Sequence, residues 1–556
     1  MKEIWKDTQL CVEKELILPI CVKDSHKMED VQELLVSKPA YIPFTTDGVA
    51  RFKGKGSYVV LDFGKELCGG VRCITREVED LYAKVRITFG ESLTEACSDI
   101  DYKNATNHHA PRNFEADIVN MSDLTLGQSG FRFARIELLT ETPMTVRNIY
   151  GVNTLPHFSR EGYLKTDDEK LNDVIQTAGY TLKLCCQNGQ IWDGIKRDRL
   201  IWSGDLNPEI LTCLYLFGDT ANITNALTAL RQSTPADRWM NQIPSYSAWW
   251  VLNLCDYCRF TGNDRFYQEN RDYAATIMKR INHYIGEDGS FDFNEDHETC
   301  MIYFLDWPTH RKEDAQVGTA SMLMYTAKAM LEMEDNEDCR EICRKLQPWL
   351  KADAVHKQVR AFQILAGRRE PGDAEFLEKD GAKGMSTFMA YYILKADAIA
   401  GGTKQIEMIK EYFGGMLSRG ATTFWEDFDL AWLEGSGSID EFPESGQADI
   451  HGDYGAYCYV GLRHSFSHGW ASGVLAFLYE YLLGVKMLAG GKYQVAPYAM
   501  GAHLAEGAVP VPDGMLQVVT ENSLVKKELC KLIKEKFYAY IRKRTVLYGW
   551  RTISHS

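Results

Sequence analysis

Between Thr166 and about residue 485 the chain reads as helix after helix, with joints built alike. Leu216-Phe-Gly-Asp219, Phe260-Thr-Gly-Asn263-Asp264 and Ala400-Gly-Gly402 each stop a helix with glycine. Glycine accepts the left-handed backbone of a helix C-terminus without a steric cost, and an Asp, Asn or Thr follows that can cap the next helix. Leu482-Leu-Gly484 repeats the stop. The first helix opens on Thr166-Asp-Asp-Glu169, read as a capping box, and Leu171, Val174, Ala178, Leu182 and Cys185 then form one apolar face. The spacing predicts helices over 168–186, 206–217, 220–232, 246–260, 264–284, 315–334, 339–362, 373–379, 384–400, 402–416 and 468–485. Helices paired about every 50 residues make about six hairpins, enough to close a ring of inner and outer helices; an irregular helical domain or open solenoid is the plainer alternative.

The flanks have a different texture. Ser57–Phe63, Ala83–Phe89, Phe131–Leu139 and Met144–Ile149 are short strand candidates bounded by glycine and acidic turns, the pattern of an antiparallel sandwich. The stretch 96–120, with His108 and His109, lacks periodicity and is read as a long loop. Beyond 490, Tyr493–Tyr498, Gly507–Gly514 and Met515–Thr520 suggest a small β domain, followed by a basic, helical-looking run Lys526–Arg542. The expected fold is therefore multidomain α+β: an N-terminal β-sandwich over 1–158, a helical toroid over 159–488 and a small β domain with a helical tail over 489–556.

A net charge of −15 disfavours a nucleic-acid or anionic-membrane partner. No run of 18 apolar residues exists to span a membrane, and the start MKEIWKDTQLCVEKELILP has charges through its apolar stretch, unlike a signal peptide. The 15 cysteines are scattered and odd in number; Cys255 and Cys258 have the spacing of half a zinc site but no second pair. Buried free thiols in a reducing compartment, the cytoplasm, are the expectation.

Two segments concentrate acids beside indoles. Ile191–Asp205 carries Asp193, Asp198 and Asp205 with Arg197, Arg199, Trp192 and Trp202, and Gly194 and Gly204 are read as letting the backbone approach a ligand. Thr422-Thr-Phe-Trp-Glu426 follows a glycine-ended helix and adds Glu426, Asp427 and Asp429. A long glycine-rich stretch, Gly435–Gly461, comes next, and then His468 and Trp470 enter the last helix. Ion-paired helix junctions, a mobile acidic loop and a structural histidine are the bland alternatives. The chemical reading is glycoside cleavage: one carboxylic acid protonates the leaving oxygen, a second carboxylate activates water or attacks the sugar, and aromatic faces stack on the ring. Burial or a nearby like charge keeps the acid protonated near neutrality.

Other chemistries lack their signatures. There is no Gly-x-Gly-x-x-Gly, phosphate loop, His-Glu-x-x-His or Gly-x-Ser-x-Gly. His108-His109 and Glu295-Asp-His-Glu298 offer no full metal-ligand set, so no metal and no cofactor are expected.

At these segments the chain resembles the α-L-rhamnosidases of glycoside hydrolase family 78, over nearly its whole length. That family combines an (α/α)6 six-hairpin barrel with β-sandwich domains and removes terminal L-rhamnose by inversion. Asp62-Phe-Gly-Lys-Glu-Leu-Cys-Gly-Gly70 resembles a segment that precedes the barrel. The resemblance implies that Asp193 and Asp205 bind substrate. Asp198 falls on the general acid's place when the run Lys196–Arg199 is aligned from its right end, and on a neighbouring aspartate when aligned from its left; the first alignment, with Asp198 as general acid, is taken. Here the run Lys196-Arg-Asp-Arg199 is one residue shorter than the family's and lacks its acid glutamate. Glu426 takes the general base's role, and His468, farther from the base than in the family, the rhamnose-binding role. Arg197, Trp202, Trp249, Asp306, Trp307, Trp425 and Trp470 complete the expected pocket. The implied activity is an inverting exo-glycosidase on terminal α-L-rhamnosyl residues; the same chemistry on another sugar, or carbohydrate binding without catalysis, are the alternatives. The partner expected is a carbohydrate, with further copies of the chain in any homo-oligomer.

Overall fold

In a computed structural model, residues 12–295, 299–498 and 504–521 are described, apart from 43 and 46, together with the backbone of Leu524–Val525 and Lys531–Ile533. Six inner helices form a closed ring: Leu206–Leu216, Pro244–Thr261, Ala315–Met333, Lys357–Leu365, Ala390–Ala400 and Gly473–Phe477 each touch the next, and the last touches the first. The inner helix Leu206–Leu216 is buried along its whole length. The outer helices Glu169–Cys185, Ala221–Ser233, Asp264–His283, Glu337–Leu346, Asp373–Glu378 and Gln405–Leu417 lie on its outside. Their sequences show why: Glu337–Leu346 buries only Cys339, Ile342 and Leu346, a single stripe. The toroid is therefore present, and inner and outer helices are sorted by how far round the apolar surface extends.

Local rules and tertiary contacts share the boundaries. Gly262 and Gly401 end their helices at φ 73° and 87°. Asn263 caps as expected, accepting from the amide of Phe266; at the first joint Thr220 rather than Asp219 takes the cap position and makes no side-chain bond, and Lys404 takes it after Gly402. The first cap is Asp168, which accepts from Leu171, rather than Thr166. The single helix expected over 339–362 is two. Gln347–Lys351, with Pro348, forms a 3-10 turn, and the buried Asp314 carboxylate then accepts from the amides of Val355 and His356, which fixes a non-helical link. Two further starts shift: 384–400 becomes Ala390–Ala400, and the last helix begins as a 3-10 turn, Gly469–Ser472, and ends as a π turn, Leu478–Leu482.

The N-terminal region forms a nine-stranded antiparallel sheet around the long strand Tyr58–Val78. The stretch read as a loop contains a strand, Asn113–Val119, paired with Tyr82–Gly90 from Thr88↔Asn113 to Tyr82↔Val119. It is an edge strand whose residues, Ile118 apart, are partly or fully exposed, so it has no buried face to mark it. Gly69 and Gly70 are required by close packing: a Cβ would sit 2.1 Å from the Val152 carbonyl and 2.3 Å from that of Gly127.

The smaller sheet pairs Leu504–Val511 with Gly514–Glu521 and takes Tyr163–Thr166 as a neighbour. Lys531–Ile533, expected within a helix, pairs as a strand with Met515–Gln517; the remainder of Lys526–Arg542 lies outside the described residues. No described helix is long and apolar enough to cross a membrane. Every cysteine among the described residues is free, including Cys255 and Cys258, which are buried on an inner helix.

Candidate active site

Three segments meet at one end of the ring. Thr422–Glu426 and Ser465–His468 run side by side: the Glu426 amide donates to the Ser465 carbonyl at 2.9 Å, and the His468 amide to that of Phe424 at 3.0 Å. Asp193 joins them through the Gly469 amide, which donates to its carbonyl at 2.6 Å, and Gly194 and His468 form a β-bridge. Gly194 and Gly204 serve this packing: a Cβ on Gly204 would lie 2.7 Å from the Tyr246 ring, and one on Gly194 would lie 3.2 Å from the Ser467 carbonyl. The expected approach to a ligand is thus replaced by contacts within the protein.

The loop 193–200 is closed by the Asp193 amide donating to the Leu200 carbonyl and the Leu200 amide donating to Asp193 Oδ1, both at 2.9 Å. Asp198 and Arg199 both sit at φ 57°, a left-handed conformation that non-glycine residues avoid. This backbone turns Asp198 back toward Arg197. Arg197 then bridges the two candidate catalytic groups: Nη1 donates to Asp198 Oδ1 at 2.8 Å and Nη2 donates to Glu426 Oε1. Two such bonds across one guanidinium place the carboxylate oxygens no more than about 8 Å apart. Glu426 is otherwise held by the Ser465 amide at 3.2 Å, while Trp470 Nε1 at 3.0 Å and Thr387 Oγ1 at 2.5 Å donate to its backbone carbonyl. Arg197 is buried, Glu426 is 5% exposed and Asp198 16% exposed, so the site is nearly shut and its open side is the Asp198 side.

Behind this pair lies a buried cluster. His468 Nε2 stands 3.9 Å from Asp193 Oδ2, 3.8 Å from Asp205 Oδ2 and 3.7 Å from Glu426 Oε1. Tyr246 donates to Asp205 Oδ1 at 3.1 Å. Burial first, and then the neighbouring aspartates, raises Asp193 well above the usual carboxylate range; burial does the same to Asp205. Burial and the Arg197 charge push His468 well below the usual imidazole value. Neutral, hydrogen-bonding forms are thereby favoured, which suits hydroxyl groups better than ions.

The expected aromatic lining divides. Trp249 is fully buried among Phe362, Phe388 and Tyr392, and Trp425 is fully buried on Phe466 with rings 4.1 Å apart. Trp249 fills the space between inner helices and Trp425 packs between the loop segments beside the site, so both are core with no face left for a ligand. Trp470 stacks on Phe388 and supports Glu426 from behind. Trp202 is half-buried, edge-on to Tyr246, and borders a cavity of about 690 Å³ shared with Trp239, Asn241 and Gln242. Trp307 stacks on Tyr457 of the glycine-rich stretch at 5.3 Å. Asp306 is buried, accepts from Ser386 and the Trp307 amide, and is raised to about 6 by burial. Asp427, beside Glu426, is raised to about 7 by burial and by Asp306.

A second polar group was not foreseen as part of the site. Lys196 Nζ lies 2.9 Å from Glu91 Oε2, 3.1 Å from Glu95 Oε1, 3.5 Å from His451 Nε2 and 2.5 Å from the His464 carbonyl. Glu91, Glu95 and His451 have the proximity of metal ligands, but the Lys196 ammonium already occupies the place of a cation among them. Glu91 accepts from the Phe466 amide and His464 accepts from the Asp427 amide, so this network braces both acid-bearing segments. The sheet reaches them because Gly130 has no side chain: a Cβ there would meet Ile195 at 2.6 Å and the Lys196 amide at 2.8 Å. Glu91 follows an ordinary strand, with no local motif to mark it. His108 and His109, unexplained in the sequence, contact Arg463 and Asp198. Of Glu295–Glu298, the side chain of the first and all of the rest lie outside the described residues.

A closed ring of six helical hairpins with flanking antiparallel sheets, and carboxylates gathered at one end, is the architecture of a six-hairpin glycosidase. Residues 159–346 match the bacterial alpha-L-rhamnosidase six-hairpin glycosidase domain. Solved structures agree in fold. A family 78 rhamnosidase of Bacillus sp. GL1 aligns at 19% identity and TM-score 0.67, over 88% of this chain and 53% of that one. A rhamnosidase from Klebsiella oxytoca with rhamnose bound aligns at 19% and 0.64, over 84% and 95%. The Streptomyces avermitilis α-L-rhamnosidase complexed with L-rhamnose aligns at 14% and 0.62, over 92% and 48%. This chain thus spans about half the length of the Bacillus and Streptomyces proteins. No curated protein matches it. The chain thus shares the fold of these rhamnosidase structures, and its residues 159–346 match a six-hairpin glycosidase domain.

Proposed function

We propose that the protein hydrolyses terminal α-L-rhamnosyl residues from glycosides or oligosaccharides with inversion. The observation that carries this reading is the meeting of Asp198 and Glu426 on one guanidinium, in front of the buried Asp193–Asp205–His468 cluster. The acid side is built on Asp198 and the base side on Glu426. The bound of about 8 Å on their separation admits both an inverting pair, at about 6.5–9.5 Å, and a retaining one, at about 5–5.5 Å, and the anomer first formed distinguishes them. A sugar entering from the Asp198 side would displace Arg197 from its bridge, and Asp193, Asp205 and His468 would meet its hydroxyls. The scattered free cysteines fit work in the cytoplasm.

Two observations favour neighbouring readings. The glycine-rich stretch brings Tyr457 onto Trp307 at the rim, which supports a sugar other than rhamnose. Arg197 neutralises both carboxylates at once, which supports sugar binding without turnover. A panel of aryl glycosides assayed with wild type, D198N and E426Q separates them. Rhamnoside hydrolysis lost in both variants supports the proposal; hydrolysis untouched by both refutes the residue assignment. Proton NMR of the first-formed sugar should show the inverted anomer.

A further inference from the structure

Asp198 has two basic neighbours. Arg197 Nη1 lies at 2.8 Å on one side, and His109 Nδ1 lies 3.2 Å from the same oxygen on the other. Beside this short carboxylate stands the more exposed His109 imidazole.

His109 comes from the N-terminal sheet, on the loop before the strand Asn113–Val119. That loop is fastened to the barrel. Arg463 donates to His108 Nδ1 at 2.7 Å, and the Arg463 carbonyl accepts from Arg197 Nε at 3.2 Å. Lys103 pairs with Asp453 at 2.5 Å and approaches Asp449 at 3.8 Å. The His108 and His109 rings lie face to face at 6.1 Å. His109 is 37% exposed, against 16% for Asp198 and 5% for Glu426, so exposure rises toward the rim on the side where an exo-acting enzyme must place its leaving group.

We propose that His109 and Asp198 form a single proton-delivering pair, in which the carboxylate orients the imidazolium and the imidazolium protonates the leaving-group oxygen; this rests on the glycosidase reading above. Asp198 Oδ1 lies 3.2 Å from Nδ1, which leaves Nε2 for the glycosidic oxygen. The proton passes from Nε2 to that oxygen as the bond from the anomeric carbon breaks, and the electron pair stays with the oxygen. Water adds to the anomeric carbon and gives its proton to Glu426. Exchange with solvent then restores the imidazolium and the carboxylate. The charged groups facing His109 are Asp198, with Arg197 behind it, and, alongside, His108 with Arg463.

The test compares two substrates on the same enzyme sample, phenyl and 2,4-dinitrophenyl α-L-rhamnoside. Dinitrophenolate leaves without protonation, while phenolate needs it. H109Q should lose about 100-fold in kcat/KM on the phenyl glycoside and less than about 5-fold on the activated one. Because the result is a ratio, partial misfolding lowers both rates alike and leaves it unchanged. The double variant H109Q/D198N should be scarcely worse than either single one, as expected of groups that act together. An unchanged substrate ratio in H109Q overturns the pair while the glycosidase reading stands. Failure of wild type to cleave either rhamnoside overturns both.

Discussion

Replacing Lys196 with methionine gives the sharpest test of how the sheet supports the site. The ammonium is 6% exposed and lies within 3.5 Å of two carboxylates, one imidazole and two backbone carbonyls. Methionine keeps most of the side-chain volume, so packing changes little. What is lost is the only cation contacting both Glu91 and Glu95 among the described ion pairs, Arg112 reaching Glu95 alone, at 3.8 Å. Breaking a buried pair from one side costs about 3–5 kcal/mol, because the remaining charge is uncompensated. The cost should depend on pH. Burial outweighs Lys196 and holds Glu91 up at about 7, so below that value Glu91 is protonated and has less need of the cation. Urea denaturation of wild type and K196M should therefore show a gap of about 3–5 kcal/mol at pH 8 that narrows at pH 5. A gap below about 1 kcal/mol at pH 8, in the range of surface pairs, would refute the argument. So would a gap that widens on acidification.

Asp427 provides a separate pH test. Its folded value, about 7, lies above the ordinary aspartate value because of burial, so the folded state binds the proton more tightly. That contribution to stability is full below the unfolded value and is lost as pH rises through about 7. D427N should accordingly gain on wild type in unfolding free energy as pH goes from 5 to 8, by about 3 kcal/mol; a constant difference across that range would exclude the mechanism. Trp249 is assigned to the core, so W249A should destabilise by about 3–5 kcal/mol while leaving sugar affinity of the folded protein intact. A selective rise in KM with unchanged melting would return it to the ligand pocket.

The helical toroid was legible because its information is local. Apolar stripes recur at helical spacing, and glycine such as Gly262 and Gly401 ends helices by its own backbone freedom. The acids of the two tryptophan-rich segments were legible too, because carboxylates crowded beside indoles are unusual in any short stretch. Local pattern failed at 339–362, where Asp314, from another part of the chain, holds the break. It failed for Trp249 and Trp425, since an indole that binds a sugar and one that fills a core have the same sequence signature. Above all it was silent on Glu91, Lys196 and His109. Glu91 and His109 belong to the sheet, and only its docking, permitted by Gly130, brings them to the acids of the barrel. Helix and strand preferences act over a few residues and can be read one segment at a time. Charge compensation acts through space, so the partners of a buried charge are chosen only when distant parts of the chain have packed together.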